Sequence, residues 1–79
     1  METIRLPELK KGLQSATLCA WLVEEGDAVR KGDAICEVEA DKVVCPIEAE
    51  FDGIFVRALA EEGDEVAVGA PMAEAERAL

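Results

Sequence analysis

The chain has 79 residues, 51% of them hydrophobic, and its 18 acidic side chains face 8 basic ones for a formal net charge of −10. That length fits one domain with a modest core and little room for an enclosed catalytic pocket, and the hydrophobic fraction argues against disorder. The acidic balance makes nucleic acid or an anionic membrane a poor partner and a basic protein surface a better one.

The N-terminal run Met1-Glu2-Thr3-Ile4-Arg5 has no signal-peptide pattern, and no apolar stretch reaches membrane-spanning length. A soluble, cytoplasmic protein is therefore expected. In chain order, the first predicted strand is Ser15 to Val23, which leads to a turn at Gly26-Asp27 and a second turn at Gly32-Asp33. Strands Ala34 to Ala40 and Val43 to Glu48 follow, separated by only Asp41-Lys42. Val43, Cys45 and Ile47 alternate with Val44, Pro46 and Glu48, the two-residue period of a half-buried strand. Pro46 has no N–H for a ladder, so this strand belongs at an edge or bulge. Glu48 to Asp52 form a crossing in which Phe51 is expected to cover the core. Strand Gly53 to Leu59, a turn at Gly63-Asp64 and strand Pro71 to Glu76 complete the chain.

The chain also repeats itself. Glu24-Glu25-Gly26-Asp27-Ala28-Val29 returns as Glu61-Glu62-Gly63-Asp64-Glu65-Val66, and Gly32, Glu37 and Glu39 recur as Gly69, Glu74 and Glu76. Two copies, 24–39 and 61–76, are too few for a solenoid. They predict one all-β domain over 1–79, a flattened barrel or sandwich of two short antiparallel sheets with pseudo-twofold symmetry. Met72 to Leu79 have helix-forming composition, but the repeat maps them onto the strand beginning at Ile35. The same symmetry puts Lys42 and the C-terminus at opposite ends, which suits a carrier tethered at one end and loaded at the other.

Chemistry-bearing residues are few. There is no histidine, and Cys19, Cys36 and Cys45 include no Cys-x-x-Cys pair. A four-ligand zinc site and a Cys–His nucleophile are therefore both excluded. Cys36 and Cys45 share the alternation of inward positions and read as small core residues. No side chain reads as catalytic: Asp41 is one turn carboxylate with no partner to shift it. Taken alone, Lys42 is an ordinary solvated turn residue.

The segment Val38-Glu39-Ala40-Asp41-Lys42-Val43 nevertheless resembles the Glu-x-Asp-Lys-Ala/Val motif of the lipoyl domains in 2-oxo acid dehydrogenase acyltransferases. The resemblance covers nearly the whole chain. Leu6-Pro7-x-Leu9 is similar to the family's opening, Trp21-Leu22-x-x-Glu25-Gly26-Asp27-x-Val29 to its second strand and turn, Gly53 to the start of its second half, and Gly63-Asp64-x-Val66-x-x-Gly69 to its close. The resemblance implies a barrel-sandwich hybrid fold that catalyses nothing itself and carries lipoate in amide linkage on Lys42. Glu39, Asp41 and Val43 would mark that lysine for a lipoate ligase or lipoyl transferase. The further partners implied are a thiamin-dependent 2-oxo acid decarboxylase, the acyltransferase core and dihydrolipoamide dehydrogenase, in the cytoplasm or the mitochondrial matrix. A biotinyl carrier shares the fold but flanks its lysine with methionines, where this chain has Asp41 and Val43. An unmodified lipoyl-like adaptor is the third alternative, which the uninterrupted hairpin disfavours. Two segments depart from the pattern. Leu9-Lys10-Lys11-Gly12 replaces the usual Gly-Glu in a loop that the family uses for recognition by its decarboxylase, so Lys10 and Lys11 are candidate partner-recognition residues. Glu48 to Asp52 replace a Pro-Ser-Pro-rich crossing.

Overall fold

A computed structural model describes residues 1–79 as eight strands and no helix: β1 (Glu2–Arg5), β2 (Ser15–Trp21), β3 (Ala28–Val29), β4 (Ala34–Ala40), β5 (Val43–Glu48), β6 (Gly53–Ala58), β7 (Glu65–Ala67) and β8 (Pro71–Arg77). They form two four-stranded antiparallel sheets, ordered β1-β8-β6-β3 and β5-β4-β2-β7. The expected two-sheet, all-β architecture is the one observed, and the five longer strands fall where the alternation places them. Pro46 lies on an edge strand, as its missing N–H requires. The short strands β1, β3 and β7 have no counterpart in the sequence-based expectation.

Inward-pointing residues of both sheets build one core. Leu6, Leu18, Ile35, Val38, Phe55 and Met72 are its largest fully buried side chains, each contributing about 1.5–3 kcal/mol of burial. Cys36 is fully buried among them. Its thiol is pushed up to about 12, first by desolvation and then by the neighbouring Glu37 carboxylate. Trp21 tilts against Phe55 with ring centroids 5.4 Å apart and donates its indole N–H to the Ala60 carbonyl at 3.0 Å.

Two expectations about packing need correction. Cys45 is only half-buried and Val43 is exposed, so Ile47 alone of the predicted inward face of β5 reaches the core. Strand β5 is an edge, and its first two residues, Val43 and Val44, are exposed. Phe51 does not cover the core either. It is half-buried at one end of the molecule with the Arg77 guanidinium 5.0 Å over its ring, and Ala49 is the buried residue of the crossing. An aromatic with a cation on its face is held well enough without entering the interior.

The pseudo-twofold reaches further than the visible repeat. Thr17 pairs with Glu39 as Ile54 pairs with Glu76, Leu18 with Val38 as Phe55 with Ala75, and Trp21 with Cys36 as Ala58 with Ala73. Even the irregularities repeat, since the register slips at Cys19 on β2 and at Val56 on β6. Strand β1 takes, on β8, the place that β5 takes on β4. Gly32 N–H donates to the Ala49 carbonyl as Gly69 N–H donates to that of Leu6. The N-terminal strand therefore completes the second half.

Candidate functional site

The hairpin between β4 and β5 has the shortest connection that the fold allows. Ala40 pairs with Val43, and the two residues between them, Asp41 and Lys42, have φ of 50° and 66°. Left-handed backbone at both central positions is the pattern of a type I′ turn, whose twist suits the right-handed twist of the flanking strands. Glycine or asparagine usually fills such positions because Cβ crowds the carbonyl there, at about 1–2 kcal/mol for other residues. Aspartate tolerates this better than most. Lysine has no local compensation, and it is held left-handed by the strand pairing on either side.

Lys42 is exposed and takes part in none of the three ion pairs. Val43 and Val44, 58% and 54% exposed, add an apolar flank to the tip. Glu39 is exposed and stands between Val44 and Thr17 in register. Of these neighbours only Val44 was not singled out from sequence, although its alternation with Val43 on an edge strand was there to be read.

The loop from Pro7 to Gln14 meets this hairpin. Lys10 Nζ forms an ion pair with the Asp41 carboxylate, both side chains remaining more than half exposed. Lys11 is exposed and in no ion pair. The structure thus brings Lys10, Asp41 and Lys42 together and leaves Lys11 free beside them.

The other end of the molecule is different in kind. Ala49 N–H donates to the Asp33 carbonyl, Lys31 N–H to the Asp52 carboxylate and Ala78 N–H to the Asp52 carbonyl. Arg77 pairs with Glu2 at 3.5 Å. Both terminal segments therefore sit by the first residue of β4, about 20 Å of extended strand from its last. The predicted separation of Lys42 from the C-terminus is observed.

Nothing in the fold offers an enclosed reaction site. One concavity is an open groove of about 620 Å³ between edge strands β1 and β5, lined by residues such as Ile4, Leu6, Pro46 and Phe51, and Lys42 is not among them. No three His, Cys, Asp or Glu side chains are grouped so as to hold a metal ion.

Residues 2–75 match the biotin/lipoyl family described as "Biotin-requiring enzyme". The chain belongs to that family. Within this biotin/lipoyl family it is similar to the dihydrolipoyllysine-residue succinyltransferase component of the 2-oxoglutarate dehydrogenase complex of Staphylococcus saprophyticus, 41% identical over 73 residues, 92% of this chain. The dihydrolipoyllysine-residue acetyltransferase component of the pyruvate dehydrogenase complex of Zymomonas mobilis is 43% identical over 76 residues, 91% of this chain. The chain spans 17% of the length of each of these two relatives. The solution structure of the lipoyl domain of the 2-oxoglutarate dehydrogenase complex from Azotobacter vinelandii superposes with a TM-score of 0.76 at 28% identity, over 98% of both chains. A single-chain, multi-domain long-chain acyl-CoA carboxylase superposes at TM-score 0.80 with 22% identity, covering 99% of this chain and 7% of that one, and shows the shared fold.

The chain is therefore a lipoyl-type member of the family, a carrier rather than a catalyst. Lipoyl domains hold lipoate through an amide to a lysine side chain. An exposed primary amine on a two-residue turn, clear of any ion pair, fits that chemistry.

Proposed function

We propose that Lys42 is the lipoyl-bearing lysine, and that the domain carries acyl groups and reducing equivalents between components of a 2-oxo acid dehydrogenase complex. The carrying observation is the turn itself. Of the four lysines, Lys42 alone is a central residue of a strand-to-strand turn, with its amine in no ion pair. Lys31 lies at the far end by Asp52, and the Lys10 ammonium faces Asp41. Lipoate, when attached, supplies a dithiolane that accepts an acyl group together with two electrons. The protein supplies the tether and the address. Holding the arm on a domain linked to its complex raises its effective concentration at each site it visits.

The partners of this reading are a lipoate ligase or lipoyl transferase, a thiamin-dependent 2-oxo acid decarboxylase, an acyltransferase core and dihydrolipoamide dehydrogenase. Relatives that are acyltransferase components of such complexes support it. Glu39, Asp41 and Val43 flank the lysine where a ligase would approach, and Lys11 is the free cation of the neighbouring loop that a decarboxylase could read.

Intact mass spectrometry after coexpression with lipoate ligase, and separately with biotin ligase, tests the assignment. A lipoyl adduct on the wild type that is lost completely in Lys42→Ala is expected. A biotin adduct without a lipoyl adduct would overturn the carrier chemistry, and a lipoyl adduct that persists in Lys42→Ala would overturn the site.

A further inference from the structure

One insertion breaks the pseudo-twofold, and it lies at the Lys42 end. Leu6 and Ala49 are equivalent by their hydrogen bonds to Gly69 and Gly32, and Ala16 and Gly53 by their pairing with Val66 and Val29. The first pair is 43 residues apart and the second 37, so the passage from β1 to β2 is six residues longer than that from β5 to β6. The extra length is ordered. Leu6 is buried, Leu9 packs on the core, Leu13 N–H donates to the Lys10 carbonyl at 3.1 Å and Gly12 N–H to the Glu8 carboxylate at 3.2 Å. Gln14 accepts from Val68 N–H at 2.9 Å. A loop fixed at both ends thus places Lys10 on Asp41, 31 residues away in sequence.

We propose that Lys10 is a positioning residue for the modification of Lys42: through Asp41 it fastens the hairpin to the inserted loop, and the modifying ligase meets the two as one preformed surface. The role rests on the assignment of Lys42 as the lipoyl lysine. The hairpin tip has no other side-chain anchor, since Asp41 and Lys42 make no further hydrogen bond or ion pair. A tip already ordered leaves less ordering to be done on binding. The consequence falls on binding and not on chemistry, because the Lys10 ammonium faces Asp41 and not the reacting amine. It also changes how Asp41 acts: its charge is balanced within the domain, so a ligase reads the shape of the tip more than a free carboxylate. Both side chains are exposed, so the tie is weak and sensitive to salt.

The test uses the unmodified chain, purified lipoate ligase, lipoate and ATP, together with backbone heteronuclear NOEs. Lys10→Ala should raise the KM for the domain roughly two- to fivefold, the scale of an exposed ion pair, with kcat unchanged. It should also lower the NOEs of residues 40–43. Lys10→Arg should restore both. The double reversal Lys10→Glu with Asp41→Arg should recover most of the KM that Lys10→Glu alone loses, because it rebuilds the pair. Unaltered KM and NOEs in Lys10→Ala would overturn the proposal. So would a double reversal as impaired as Lys10→Glu, which would mean that Lys10 touches the ligase directly. If the wild type acquires no adduct at all, the lysine assignment fails, while the NOEs still report whether the tie orders the hairpin.

Discussion

The two halves of this domain share a backbone and differ in what they do with it. In one half, β2 to β5, the paired strands close through Asp41 and Lys42. In the other, β6 to β8 with β1, the equivalent position is occupied by the terminal residues Leu79 and Met1. The same strand pairing that presents a lysine at one end presents the ends of the chain at the other. Strand register, turns and even bulges are common to both halves and build the scaffold. The features that distinguish them, a two-residue turn, a six-residue loop insertion and the Lys10–Asp41 pair, all collect at one end. The proposed function of Lys42 falls where the symmetry is broken.

The largest test of the comparison concerns the pair Ala16 and Gly53. Ala16 is buried with its methyl group accommodated, yet a Cβ built on Gly53 would fall 2.2 Å from the carbonyl oxygen of Glu76. The backbone of β8 therefore passes too close to Gly53 to admit a side chain there, while Ala16 has room for its methyl group. Gly53→Ala should force the backbone apart and cost about 3 kcal/mol, a fall in Tm of roughly 10–20 °C in thermal unfolding. Ala16→Gly should cost only about 0.5–1 kcal/mol through chain entropy. Equal effects of the two substitutions would mean that the halves are spaced alike and that the close approach is not structural.

A smaller effect separates Cys36 from its mate Ala73. Both are fully buried, so the site accepts a methyl group in one half and a thiol in the other. Burial holds the Cys36 thiol up at about 12, against 9.0 for an ordinary cysteine. Below pH 9 the thiol is protonated in both folded and unfolded chains and adds no pH dependence. Above pH 9 only the unfolded chain releases the proton, so stability falls as pH rises toward 12. Urea unfolding should show the wild type losing about 1 kcal/mol between pH 9 and 10 that Cys36→Ala does not lose. Parallel pH profiles for the two proteins would show that the thiol ionises as readily inside as out.

The parts of this structure legible in the sequence are those encoded within a few residues. Alternation in Ala34 to Ala40 and Val43 to Glu48 located the hairpin, Pro46 assigned β5 to an edge, and the Glu-Glu-Gly-Asp repeat revealed the twofold. Strands β3 and β7, of two and three residues, are too short for a period to register. Strand β1 offers only half-buried Ile4 as an inward residue. Its equivalence to β5 is hidden because the loop insertion shifts the offset from 37 to 43. The proposal for Lys42 rests in the sequence on its flanks, and Lys10 and Lys11 stand out there as a departure from the family pattern after Leu9. That Lys10 meets Asp41 was not legible there, because two residues 31 apart become neighbours only when both sheets have formed. Phe51 escapes the sequence for a related reason: hydrophobicity alone points it inward, while its partner Arg77 lies 26 residues on, in β8.

The smallest effect concerns charge. In the half without the lysine, Arg57 Nε lies 3.1 Å from its cross-strand partner Glu74. Their twofold mates are Ala20 and Glu37, so the same carboxylate on β4 has no cation opposite it. Glu39 on β4 and Glu65 on β7 are likewise in no ion pair, which leaves the sheet that carries the hairpin with unbalanced acid. Ala20→Arg recreates the missing pair. It should raise stability by about 0.2–0.5 kcal/mol at low salt, a gain that disappears in about 1 M salt, where the screening length shrinks to about 3 Å. Arg57→Ala should lose a similar amount. Matching gain and loss in paired thermal scans would establish the halves as energetically interchangeable in this position. The absent arginine is then no defect of packing, and its effect is to leave negative charge on the sheet that carries the Lys42 hairpin. A destabilising Ala20→Arg would break that equivalence and attribute the bare carboxylate to local crowding around half-buried Ala20.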